Sequence, residues 1–179
     1  IIKDLAEKQD DLDKKSVGPS VEIAYKEGQL TKAGEGFVKS QGATIDDIKI
    51  VENEKNTGFA GGYNEGLKKI DEEIYCLLNS DVEVTENWIS PVLNLFESDP
   101  NIAAIQPKVL SYERKDEFEF AGAAGGMIDN LGYPYCRGRI FEKTEKDNGQ
   151  YNDETEIFWA SGCAMFIRSK DFWTQNGFD

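Results

Sequence analysis

Short apolar runs, separated by glycine-rich or acidic turns, set the pattern of this chain. Residues 1–15 place Ile2, Leu5 and Leu12 among charges, a weakly amphipathic helix that Gly18-Pro19 stops. Residues 21–25 alternate with the two-residue period of a strand, and Glu27-Gly28 has the composition of a turn. Thr31 stands where it can cap a helix to about residue 41, weakened by Gly34 and Gly36, and residues 48–52 read as another strand. Residues 58–62 are glycine-rich and run into a helix over 63–70, with Leu67 and Ile70 toward a core. Residues 74–78 are continuously apolar, as in a buried parallel strand, and end abruptly at Asn79-Ser80-Asp81. Ile89, Val92, Leu93 and Phe96 recur at helical spacing over 88–98, with Pro100 beyond the end. Residues 102–105 and 108–110 are further strand candidates, 118–138 read as a long functional loop of glycines and aromatics, and 157–168 return to strand composition. Strand, glycine turn, helix, strand, acidic turn, helix, strand is the order of an α/β fold with a mostly parallel, helix-covered sheet.

Composition narrows what such a sheet can do. At 179 residues the chain suits one core with a small appendage, and 39% hydrophobic with 30% charged residues places it among soluble globular chains. Asp plus Glu number 34 against 20 Lys plus Arg, a formal charge of -14 that repels nucleic acid. A phosphorylated small substrate therefore needs a bridging cation or a helix N-terminus. The absence of histidine excludes His-dependent nucleophiles and the usual zinc sites, leaving acid-base work to carboxylates. Three widely spaced cysteines, Cys76, Cys136 and Cys163, suit free thiols in a reducing compartment. The first 15 residues lack the apolar centre of a signal peptide, and the apolar-leaning stretch 157–167 is far short of the roughly 20 residues that span a bilayer. A cytoplasmic location is expected.

Two segments carry candidate chemistry. In open α/β sheets ligands collect outside the carboxyl ends of strands, so Asp81, directly after the apolar run, is placed to hold Mg²⁺ or Mn²⁺ shared with substrate phosphates. The same residues also suit a plain turn in which Asn79 and Asp81 cap the next helix. The glycines of 58–62 let backbone approach a ligand, although a simple helix-start turn has the same composition, and the absence of GxGxxG disfavours a dinucleotide.

Glu52-Asn53, Asn56, the glycines from Gly58 to Gly62, Asn64 and Gly66, then Leu77 to Val84 with Trp88, then Pro100, Ile102, Pro107 and Lys108 follow one another in an order that resembles the family-2 glycosyltransferases of the GT-A fold, in particular their rhamnosyltransferase-like branch. Phe120-Ala121-Gly122, Gly132-Tyr133-Pro134, Arg137-Gly138-Arg139 and Phe158-Trp159-Ala160-Ser161-Gly162 continue the likeness, which covers about residues 50–179. The resemblance implies a GT-A (nucleotide-diphospho-sugar transferase-like) domain. It implies transfer of a sugar, with inversion, from a nucleotide-diphosphate donor to a hydroxyl of a glycan or lipid-linked acceptor. It assigns Asp81 to the Mg or Mn ion, with Asn79 in place of the first acidic residue of the metal motif. It places Asn56, Gly58, Gly61, Asn64 and Asn79 on the donor side, and Trp159 and Gly162 toward the acceptor. For Trp159, stacking on a sugar and packing in a core are both open.

The family's first strand and loop and its later acidic turn have no counterpart before Val51, and its acidic general-base segment has none in the sequence that follows. The GT-A domain is thus expected to be incomplete, and little transfer is expected of this polypeptide alone, since a general base typically contributes 10²- to 10⁴-fold. Instead, Lys3 to Gln9, Gly18-Pro19-Ser20, Ala24, Thr31 to Phe37, Gly42 and Asp46-Asp47 resemble a segment of the bacterial glycyl-tRNA synthetase β subunit, over about residues 1–50. The division expected is 1–50 and 51–179, a chimera in which strand, helix and strand over 21–52 replace a βαβ unit. The alternative functions are a folded module without catalysis or a synthetase-derived binding segment. A sheet edge left open favours pairing of two copies.

Overall fold

The computed structural model describes residues 57–79 and 82–179, and ahead of them the backbone of a short hairpin. In that hairpin β1 (Tyr25–Lys26) pairs antiparallel with β2 (Gln29–Leu30), Tyr25 opposite Leu30, bracketing the dipeptide expected as a turn. The helices expected over 1–15 and 31–41 and the strand over 48–52 lie outside the described residues. The chain divides into two compact units, the described part of the first being the hairpin strands, 57–74, 78–79, 82–86 and 169–179, and the second 75–77 and 87–168.

In the first unit, α1 (Gly58–Leu67) begins five residues earlier than the pattern predicts and ends three earlier. The glycine run is itself the opening of the helix, and Gly62, Tyr63 and Leu67 are its buried face. The last turn tightens as Lys69 N–H bonds Gly66 O and Ile70 N–H bonds Leu67 O, so Ile70 follows the helix instead of extending it. α3 (Ser169–Thr174) buries Phe172 and is tied at its start by Ser169, whose N–H and hydroxyl both donate to Glu73 O. It ends at Asn176 and Gly177, both at positive φ, with Gly177 N–H donating to Phe172 O.

In the second unit a three-stranded sheet has the order β3 (Ile74–Leu78), β9 (Ala164–Arg168), β4 (Ala104–Ile105), the central residues of β3 belonging to this unit. β3 occupies the residues predicted for it. It alternates, however: Tyr75 and Leu77 are buried and Cys76 is exposed, so it covers a core on one side only. β4 pairs antiparallel with β9, Ala104 opposite Ile167 and Ile105 opposite Phe166. α2 (Ile89–Ser98) buries Val92 and Phe96, as its spacing requires, while Leu93 stays exposed. Trp88, just before it, packs its ring on Phe166 at 5.1 Å.

A second sheet is the meander β5 (Gly126–Ile128), β6 (Pro134–Cys136), β7 (Arg139–Ile140), β8 (Lys143–Thr144). Every pairing in it is antiparallel. The fold is α/β, but the registers seen among the described strands are antiparallel, contrary to the mostly parallel sheet expected. The reading of 118–138 as a long loop is corrected as well: Phe118, Ala123 and Cys136 are a buried cluster against which Ala124, Tyr151 and Trp159 pack. Its glycines serve close approach. A Cβ on Gly125 would lie 2.6 Å from Ile157, and one on Gly138 2.7 Å from the Phe118 ring, and both have positive φ. Of the strand expected over 108–110, one bridge forms, Leu110 with Phe118. Among the described residues no helix is long and apolar enough to cross a membrane.

Candidate functional site

The glycine turn of the first unit is shaped by two residues on the donor list. Gly58 opens α1 at φ 74°, where a side chain is strained although nothing lies within 4 Å of its Cβ position. Gly61 is set by contact instead: a Cβ there would lie 2.7 Å from both Cβ and Oγ1 of Thr57, which occupies the cap position without a side-chain capping bond. One turn on, the Asn64 carboxamide is engaged by protein at both ends. Its Nδ2 donates to Phe178 O at 2.8 Å, and its Oδ1 accepts from Phe178 N–H at 2.9 Å. Gly58, Gly61 and Asn64 thus share one short helical segment; Asn56 lies outside the described residues.

At the exit of β3, Asn79 O accepts a bond from Val82 N–H at 3.3 Å, as a turn requires. α2 begins only at Ile89, with Trp88 in the cap position, so Asn79 does not cap it. Asp81 lies outside the described residues. Among the described residues no three Cys, Asp or Glu side chains gather as a metal cage.

Trp159 and Gly162 belong to the second unit. The Trp159 indole covers Gly126 so closely that a Cβ on that glycine would overlap the ring, and its Nε1–H donates to Met127 O at 3.0 Å. Of the two readings of this tryptophan, packing is what the geometry displays. Gly162 is half-buried in the turn that precedes β9. Beside it, Gln106 joins two segments: Nε2 donates to Gly122 O at 3.0 Å and Oε1 accepts from Ser161 N–H at 2.6 Å. A Cβ on Gly122 would lie 2.7 Å from Ser161 Cβ, so the two chains touch there.

Ion pairs brace the second unit. Lys108 Nζ donates to Asp147 Oδ2 and Asn152 Oδ1, both at 2.6 Å, and its hydrogen bond, with that of Gly149 N–H, holds the Asp147 carboxyl below its ordinary value. Arg137 pairs with Asp153 at 2.6 Å and stacks over Tyr151 at 4.8 Å. Arg168, at the end of β9, donates to Phe96 O, Asp99 O and Ile102 O and lies 4.8 Å over the Phe96 ring, closing the C-terminus of α2. Hydrophobic spacing marks none of Gln106, Arg168 or Phe178, since each acts on partners far away in sequence. Only the adjacency of Gln106 to Pro107-Lys108, and of Phe178 to Gly177, hinted at them.

The chain is similar to the glycine–tRNA ligase beta subunit of Lactobacillus gasseri, 49% identical over 74 residues, which are 40% of this chain and 11% of that protein. It is likewise similar to that subunit from Chromohalobacter salexigens, 42% identical over 64 residues (36% and 9%), and from Bacillus subtilis, 48% identical over 52 residues (28% and 8%). The chain therefore spans about a tenth of the length of these curated relatives. No solved structure matches it significantly. The profile of the family described as Glycosyl transferase family 2 matches residues 31–174, which include the glycine turn, β3 and its acidic exit, and the Trp159 segment, and by that match the chain belongs to this family.

Proposed function

We propose that residues 51–179 are the core of an inverting glycosyltransferase of GT-A type, which binds a nucleotide-diphospho-sugar and serves a glycan or lipid-linked acceptor. The reading is supported by order: inside the matched residues 31–174 the glycine turn, β3 with its Asn79-Ser80-Asp81 exit, Trp88, and the Phe158 to Gly162 run follow one another in the order that the resemblance implies. On this reading Asn56, Gly58, Gly61, Asn64 and Asn79 form the donor side, and Trp159 and Gly162 the acceptor side, with Trp159 acting through packing. The function assigned to this polypeptide is donor binding.

A divalent cation is part of this proposal. The chemistry of the donor set fits one shared with substrate, because Mg²⁺ is commonly held by one or two carboxylates while phosphate oxygens complete its shell. Asp81 would be that carboxylate, and the ion would supply positive charge that a chain of net charge -14 lacks. The test is calorimetry of the 179-residue chain with UDP, GDP and dTDP in Mn²⁺. Saturable binding that disappears in Asp81→Ala supports the reading, and no binding by the parent chain refutes it.

The likeness to glycine–tRNA ligase beta subunits favours a second reading for residues 1–50, a synthetase-derived segment in a chimeric module without catalysis. Retardation of tRNA in a gel at moderate salt would support it, although the net charge opposes nucleic-acid binding. A cytoplasmic setting goes with the three free cysteines. Pairing of two copies through an open sheet edge is proposed with it, and sedimentation measures that.

A further inference from the structure

We propose that Asn64 is a positioning residue whose carboxamide latches the Gly177-Phe178 turn, and that this latch, not a contact from Asn64 to the ligand, holds the glycine turn of α1 in its donor-binding shape. The inference rests on the donor-site reading of α1 given above.

α1 cannot hold its own shape. Four of its ten residues are glycines, Gly58, Gly61, Gly62 and Gly66, its cap residue makes no side-chain bond, and its last turn has no basic residue. Glycine is among the poorest helix formers, and an isolated helix this short is marginal even with good ones. Its order comes from what packs on it. Asn64 and Phe178, 114 residues apart, exchange two hydrogen bonds, Nδ2–H to Phe178 O and Phe178 N–H to Oδ1. The pair is reciprocal, so the amide has one workable orientation: turned over, it would face N–H to N–H and oxygen to oxygen. The Phe178 ring then lies 6.1 Å from Tyr63, 6.3 Å from Phe59 and 5.1 Å from Phe172, bringing the face of α1 and α3 together.

Gly177 makes the latch testable without touching the donor side. It sits at φ 83°, and a Cβ there would overlap Asn64 Oδ1 and lie 2.8 Å from Asn64 Cγ. Gly177→Ala therefore opposes the latch both by backbone strain and by collision. If Asn64 contacted the donor directly, only changes to Asn64 would matter. If it positions α1, the two residues are equivalent.

The experiment compares Asn64→Ala, Gly177→Ala and the milder Asn64→Asp, which keeps an acceptor for Phe178 N–H, in the full 179-residue chain. Amide hydrogen exchange is read over residues 59–63, with residues 126–128 as an internal reference. Binding of UDP, GDP and dTDP is measured in Mn²⁺. The expected result is exchange over 59–63 faster by about tenfold or more in both Asn64→Ala and Gly177→Ala, a matching loss of affinity of about tenfold, and an intermediate effect of Asn64→Asp, with the reference unchanged. Weakened binding in Asn64→Ala alone makes Asn64 a direct ligand contact and overturns the proposal. Faster exchange with unaltered affinity reduces the latch to a stability feature and also overturns it. A parent chain that binds none of the three diphosphates refutes the donor reading itself, a failure distinct from parent-like binding in every variant.

Discussion

The indole of Trp159 lies directly on the backbone of Gly126, and the two residues also exchange main-chain bonds, Gly126 N–H to Trp159 O and Trp159 N–H to Gly126 O. The glycine is required by the area of ring that covers it. Gly126→Ala should destabilise the second unit by about 2 kcal/mol or more, since overpacking a fitted contact typically costs 1–3. Urea denaturation followed by tryptophan fluorescence measures this, and an unchanged midpoint would show that the ring moves aside freely.

Arg168 offers a sharper case. Its guanidinium serves the carbonyls of Phe96 in the last turn of α2, of the cap residue Asp99 and of Ile102 beyond it, and lies over the Phe96 face, contacts that one planar fork makes together. Arg168→Ala is expected to cost about 3 kcal/mol, because charged hydrogen bonds are lost and carbonyls are left unpaired. Arg168→Lys should recover less than half, as an ammonium is a point charge. Equal stabilities of Lys and Arg by thermal unfolding would contradict the role given to the planar fork.

Thr57 and Gly61 should behave as a coupled pair. Gly61→Ala brings a Cβ to 2.7 Å from Thr57 Cβ, so the variant should be less stable even though alanine favours helix. Thr57→Gly in the same chain removes the obstructing carbon and should restore much of the loss. A double-mutant cycle reads the coupling, expected at about 1 kcal/mol, and additivity within error would mean that α1 simply shifts away.

Acid should act on the Lys108–Asp147 pair in a defined window. The folded carboxyl is held below 3.8 by the hydrogen bond from Lys108, then by that from Gly149 N–H. A depressed folded value means that the stabilisation is complete above the ordinary value and disappears as pH falls through the lower, folded one. Carboxyl-resolved NMR titration should find Asp147 titrating below its ordinary value in the parent chain and higher in Lys108→Met, which keeps only the bond from Gly149 N–H. Asp116, paired with Lys146, is shifted in the same direction, so the measurement must resolve individual sites.

Legibility varied with the range of the interactions. α2 and β3 stand where the pattern put them, because spacing of Val92 with Phe96 and the run from Ile74 to Leu78 are local properties. α1 began early because a glycine run reads as a turn until Tyr63 and Leu67 find partners to bury against. Residues 118–138 depart from their loop-like composition for a related reason. Glycines beside aromatics resemble a loop in one dimension, and only the ring of Phe118 against Gly138 reveals them as close packing.

The order of motifs, the lack of histidine, the acidity and the family are properties of residue identity along the chain, and the sequence by itself determined them. Strand direction, the commitment of Trp159 to Gly126 and of Arg168 to the end of α2, and the reciprocal bonds between Asn64 and Phe178 were decided only by tertiary structure. These contacts join residues 33 to 114 positions apart, across which neither spacing nor propensity carries information. Hydrogen bonds and ring contacts act over a few ångströms of space, and the folded chain alone says which residues come that close.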